Sequence, residues 1–185
     1  LLAMLPLAGC YVMQAAVDQA DVLSRSEPIE DVIADLQTPE PVRARLDLAE
    51  QARAFAVQEL GLPESRSFRK YADLERPYAV WNVVATPEFS VEPRRWCFPV
   101  AGCVAYRGYF DESKARAQAD RLARRGDDVA VGGVATYSTL GRLPDPVFNT
   151  MLGWAEARFV GTIFHELAHE RLYVAGDSEF SEAFA

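Results

Sequence analysis

Apolar residues between Cys10 and Leu60 recur mostly at helical spacing. The clearest run is Leu46, Leu48, Ala49, Ala52, Phe55, Ala56 and Leu60, one face of a helix that starts at Thr38-Pro39 and is stopped by Gly61 and Pro63. The character changes at Tyr78. Tyr78 to Ala85 is aromatic and β-branched and predicts a strand closed by Thr86-Pro87, and Cys103 to Phe110 predicts a second. Asp111 then caps a helix running to Gly126, and Asp128 to Val134 predicts a third strand that feeds Gly132-Gly133. Leu143 to Asn149 is a proline-interrupted connection. Helical spacing returns from Trp154 to about Val174, and a further helix begins after Gly176-Asp177. The order of elements predicts an α+β fold with a small mixed sheet and N-terminal packing helices. Without repeats, low-complexity tracts or linkers, residues 11–185 read as one domain.

In the helix from Trp154, the residues Phe159, Val160, Ile163, Phe164 and Leu167 form one stripe. At about 100 degrees per residue, His165 and His169 fall on the opposite side, beside Gly161, Thr162 and Ala168. Spacing of four sets the two imidazoles one turn apart and facing the same way, as two ligands of a tetrahedral zinc ion must be. Glu166 projects beside such an ion, where it is placed to act as general base on a polarised water. The chain holds only these 2 histidines, and shuffling them would produce this HExxH motif roughly once in a thousand arrangements. A third ligand must therefore be a carboxylate. Asp177, Glu179 and Glu182 are available after the turn at Gly176. A second helix folding back there would bring Glu182 beside the histidines, while Asp177 suits the cap of that helix and Glu179 a solvated first-turn acid.

Charge narrows the partners. A net charge of -8 over 185 residues argues against nucleic acid and against a basic membrane-surface patch. The short run Arg121, Arg124, Arg125 reads as a solvated helix face. The apolar tract Leu1 to Ala8, too short to span a bilayer, leads into Leu7-Ala8-Gly9-Cys10, which resembles the lipobox of bacterial lipoproteins. On that reading residues 1–10 are the remnant of a signal peptide ending in the lipidated Cys10. The protein is then tethered to a membrane of the bacterial envelope and faces the periplasm. Leu1 in place of a start methionine, and Ala185 within a helical pattern, make the sequence read as truncated at both ends. In an oxidising compartment Cys97 and Cys103 either pair across the turn containing Pro99 and Gly102 or remain buried thiols.

Ser181-Glu182-Ala183-Phe184-Ala185 is similar to the glutamate motif of gluzincin peptidases. Phe164-His165-Glu166-Leu167-Ala168-His169, Tyr173-Val174 and Gly176-Asp177 carry a closer likeness, together with Trp96 to Cys103 and Tyr106 to Phe110. These segments resemble a bacterial lipoprotein family of predicted aminopeptidases, over essentially the whole chain. Ser181 stands where that family often has Asn. The resemblance implies a zincin, thermolysin-like catalytic core binding one Zn2+ through His165, His169 and Glu182, with Glu166 as catalytic base and a peptide as substrate. Tyr106, Arg107, Tyr109 and Tyr137 are the candidates for stabilising an oxyanion. The segment Gly132 to Leu140 is a candidate edge strand for pairing with an extended peptide. The alternative function is a non-catalytic, zinc-binding envelope lipoprotein that serves as an assembly or interaction module.

Overall fold

A computed structural model describes residues 6–98 and 102–185, with side chains from Tyr11 onward. The Cys10 side chain and the Pro99 to Ala101 part of the cysteine loop lie outside the described residues. The N-terminal helical pattern resolves into several pieces: α1 (Pro6–Ser24), β1 (Ser26–Pro28), α2 (Ile29–Ala34) and α3 (Glu40–Gln58). The interruption at Ser26 has a local cause. β1 pairs antiparallel with β2 (Lys70–Ala72), Ser26 opposite Ala72, while the Ser26 hydroxyl donates to the Val22 carbonyl. Helix α3 begins after Pro39 and ends before Gly61, whose φ of +63° turns the chain away. Among the described residues no helix is long and apolar enough to cross a membrane.

Strand β3 (Val80–Pro87) is the centre of a three-stranded antiparallel sheet in the order β6-β3-β7. It is shifted two residues from the expected Tyr78 to Ala85: Thr86 and Pro87 pair with Asp128 and Asp127 of β7 (Asp127–Val134) rather than closing the strand. The single strand expected over Cys103 to Phe110 is split. β5 (Gly102–Val104) pairs with β4 (Trp96–Phe98), whereas β6 (Arg107–Tyr109) turns to pair with β3, so the two halves serve different sheets. Cys97 and Cys103 face each other across the β4-β5 hairpin and form a disulfide. At Gly133 a Cβ would collide with the Tyr78 ring, so the strand can pass there only without a side chain. β7 stops at Val134, and Ala135 to Leu140 is irregular; the edge strand is therefore shorter than the expected Gly132 to Leu140.

One face of β3 supplies Trp81, Val83 and Ala85 to a core shared with α4 (Glu112–Ala123), which contributes Ala115 and Leu122. Asp111 caps α4 by accepting from the Ser113 amide at 2.7 Å. The other core gathers Leu46, Ala49, Ala52 and Ala56 of α3 against Phe159, Ile163 and Leu167 of α5 (Glu156–Arg171). Trp154 itself lies ahead of α5. The proline-flanked connection holds a further strand, β8 (Val147–Phe148), which is fully buried and pairs parallel with β2. It escapes sequence reading because two residues carry no periodicity. A one-turn 3₁₀ helix, Asn149–Met151, leads on toward α5. The chain closes with α6 (Ser178–Phe184).

Ile163 is 0% exposed at the centre of the α3-α5 contact. Replacing it with alanine should lower the unfolding free energy by about 2–5 kcal/mol through lost burial and an unfilled cavity. Urea denaturation followed by circular dichroism measures this, and a loss below about 0.5 kcal/mol would mean that α5 is not seated as described.

Candidate metal centre and cleft

Because α5 buries Phe159, Ile163 and Leu167 against α3, the residues on its other side turn toward the sheet. His165 and His169 extend from that side with ring centroids 4.5 Å apart and their Nε2 atoms 3.0 Å apart. Past α5 the chain reverses at Gly176, whose φ of +91° lies in the left-handed region. Asp177 caps α6 by accepting from the Phe180 amide at 3.0 Å. Ser181 is fully buried; its hydroxyl accepts from the Val174 amide at 3.1 Å and donates to the Asp177 carbonyl at 2.9 Å. These bonds dock α6 against the end of α5 and deliver the next residue, Glu182, to the histidines. Its carboxylate oxygens lie 3.2 Å from His165 Nε2 and 3.6 Å from His169 Nε2.

The three separations test whether the group fits a metal. Ligand bonds of 2.0–2.1 Å in a tetrahedron place neighbouring donors about 3.3 Å apart. The two Nε2 atoms stand 3.0 Å apart, near that edge length, and each has a Glu182 oxygen close by, Oε2 at 3.2 Å from His165 and Oε1 at 3.6 Å from His169; two neutral imidazoles with a carboxylate are a donor set suited to zinc. Burial and the neighbouring His165 hold the His169 imidazole below its ordinary value, favouring the uncharged ring that a metal requires. His169 Nδ1 has no hydrogen-bond partner among the described residues; the ring is instead braced edge-on against Tyr173 at 5.8 Å.

The triad forms one wall of a cleft of about 510 Å³. Asn82 and Val80 of β3 face it from the sheet, and Val134 at the end of β7 lines the rim with Thr136 and Ser138 beyond it. Glu166 opens into the same space. Burial pushes its carboxyl up, opposed by His165 and by the Ser138 hydroxyl.

The structure sorts the four oxyanion candidates. Tyr106 lines the cleft, and burial together with neighbouring Tyr173, Glu182 and Glu166 raises its hydroxyl, which therefore stays a proton donor at neutral pH. Tyr137 also lines the cleft, but its hydroxyl donates to Gln19 Oε1 at 2.8 Å and its ring packs between Phe110 and Phe148. Arg107 and Tyr109 are not brought to the triad. Their register opposite Val83 and Trp81 puts both on the α4 face of the sheet, while Gly108 between them faces the cleft. Of the remaining carboxylates, Asp177 caps α6 and Glu179 is exposed.

Two residues of the site carried no local signal of the place they take. Tyr173 lies past Arg171, where α5 ends short of the expected Val174, so helical spacing does not place it; it meets His169 from the extended segment that follows. Asp145 stands between two prolines in the proline-interrupted connection, where no local pattern marks it as buried, and it is 1% exposed. It accepts from the Thr139 amide at 2.6 Å, the Thr139 hydroxyl at 2.8 Å and the Ser138 hydroxyl at 3.2 Å, and so holds the loop that faces Glu166.

A family model described as "Putative aminopeptidase" matches residues 10–185 of the chain. No curated protein and no solved structure matches it.

Burial is the largest influence on Asp145 and pushes its carboxyl up to about 6 from 3.8, with the Thr139 and Ser138 hydrogen bonds opposing. Between those values the folded protein keeps a proton that the unfolded chain has released. The stability contributed by this group is therefore greatest below about pH 4 and falls as pH rises toward 6. With a chelator present, wild-type protein should lose about 1.4 kcal/mol more per pH unit across that window than Asp145→Asn does. Urea titrations at several pH values read the slope difference, and parallel slopes would contradict the assignment.

Proposed function

Since the chain belongs to the family described as putative aminopeptidases, we propose that it is a zinc-dependent peptidase with a zincin-type catalytic core. The observation that carries the reading is the convergence of His165, His169 and Glu182, with one ligand atom from each within 4.8 Å of the others, and Glu166 beside them on one wall of an open cleft. His165, His169 and Glu182 would hold one Zn2+, which when bound supplies Lewis acidity toward water and the scissile carbonyl.

The rest of the work falls to the side chains. Glu166 accepts the proton of the attacking water and hands it to the departing amine; a carboxyl raised by burial suits both transfers. The Tyr106 hydroxyl, on the same cleft, donates to the oxygen on which negative charge develops. Ser138, whose hydroxyl donates to Asp145, is held next to Glu166. The unpaired edge of β7, which ends at the cleft in Val134, offers backbone groups to an extended peptide. Trimming from the N-terminus follows from the family's description.

The proposed setting is the bacterial envelope. A disulfide between Cys97 and Cys103 belongs to an oxidising compartment, and lipid on Cys10 would tether the first turns of α1 to a membrane. Metabolic labelling with palmitate checks this: the wild-type chain should incorporate label and Cys10→Ser should not.

Glu166→Gln should retain zinc, measured by mass spectrometry of the metal, while kcat/KM on a peptide library falls by about 10²–10⁴. Glu182→Ala should surrender zinc to a competing chelator more readily than wild type. Equal hydrolysis by wild type and Glu166→Gln would refute the peptidase reading, and full zinc occupancy without any hydrolysis would establish the interaction-module alternative instead.

A further inference from the structure

On the far side of the sheet from the cleft lies a pocket of about 520 Å³ with a charge opposite to that of the whole chain. Arg94, Arg95, Arg107, Arg121 and Arg125 line it, and Asp127 is the one acid among its lining residues. In a protein with 19 basic and 27 acidic residues, this concentration is not a sampling of the surface. Nor is it a by-product of one helix. Arg94 and Arg95 precede β4, Arg107 comes from β6, and Arg121 and Arg125 stand one turn apart at the end of α4. The run Arg121, Arg124, Arg125, which reads along the chain as one solvated face, is thus divided: two of the three look into the pocket.

The hydrogen-bonding state of these guanidiniums defines what is missing. Asp127 is fully engaged by Arg94 in a two-pronged pair at 2.8 and 2.7 Å, so it does not neutralise the others. Arg95 donates to the Cys103 carbonyl at 2.9 Å and Arg121 to Gln118 Oε1 at 3.1 Å, both uncharged acceptors. Arg107 is clamped with its carbon 3.8 Å from the centre of the Tyr11 ring, and its Nε is buried with no hydrogen-bond partner among the described residues. A neighbouring cavity of about 310 Å³ shares Arg107, Gln118 and Arg121 and adds Lys114 against Asp18, extending the cationic wall toward α1. Several like-charged forks in one concavity, Arg107 half-buried and the other four open to solvent, suit an anion with several oxygens; a phosphate group meets planar guanidinium donors two at a time.

We propose that this pocket binds a phosphate group, that of an anionic phospholipid headgroup. The source is indicated by Tyr11: the ring that supports Arg107 directly follows Cys10, so a lipid on Cys10 would set the pocket beside the bilayer surface. That choice of source rests on the proposed anchoring, whereas the phosphate chemistry of the pocket does not depend on it or on the zinc site.

The test uses unlipidated Cys10→Ser protein, so that any membrane binding reads the pocket and not the anchor. Sedimentation with vesicles of phosphatidylglycerol and phosphatidylcholine should exceed sedimentation with pure phosphatidylcholine. The preference should fall about thirtyfold in Arg121→Gln/Arg125→Gln and persist in Arg43→Gln/Arg66→Gln, which removes the same charge outside the pocket. Without ligand, the pocket variant should melt no lower than its parent, because it relieves like-charge repulsion; this separates lost binding from lost folding. Inorganic pyrophosphate, compared with sodium chloride at equal ionic strength, is the soluble arm. A thermal shift by pyrophosphate with no vesicle preference would overturn the headgroup assignment in favour of a soluble phosphate. Vesicle binding that survives in Arg121→Gln/Arg125→Gln, or no response in either arm, would overturn the pocket itself.

Discussion

The side chains of Phe159, Ile163 and Leu167, four residues apart, lose their contact with water against α3, and this packing fixes the rotation of α5 about its axis. A helix with one apolar stripe has one rotation that buries it, and any other exposes several side chains worth about 1.5–3 kcal/mol each. With the rotation fixed, His165, Glu166 and His169 have no choice of direction. The donor geometry is a consequence of hydrophobic burial on the opposite side of the same helix.

A second core, built from Trp81, Val83, Ala85 and α4, stands on the other face of the sheet, and the cleft is the seam between the two. Strand alternation sets Asn82 and Gly108 toward the metal group, and Trp81, Val83, Arg107 and Tyr109 toward α4. Two separate concavities can therefore open on one small sheet, because neighbouring residues of β6 point into different spaces. The disulfide-bonded hairpin of β4 and β5 stands at one end of the seam, where a Cβ on Gly102 would come within 3.9 Å of the Gly176 amide at the reversal into α6.

The parts of the molecule legible in the sequence are those with a strong local rule. The α5 stripe, the Asp111 and Asp177 caps, the strand over β7 and the helix over α3 all announce themselves through period or capping chemistry. What escaped depended on contacts between distant segments. Ser26 to Pro28 looks helical until it meets β2; β8 is too short to show a period; Cys103 to Phe110 looks continuous because both halves are strands, though of different sheets. The same limit separated the oxyanion candidates. Tyr106, Arg107 and Tyr109 are neighbours in sequence, and the one-residue alternation of a strand decides which of them can see the cleft.

Among the described residues of helix α6, Ser181 is the buried one. The helix stays in place through a hydroxyl anchored to the turn and a carboxylate shared with the two histidines. An ion held by those three groups would be bound in part by a segment seated on α5 through few contacts of its own. Occupancy and the docking of α6 then become one equilibrium: withdrawing the ion loosens α6 first, and the long helix beneath it last.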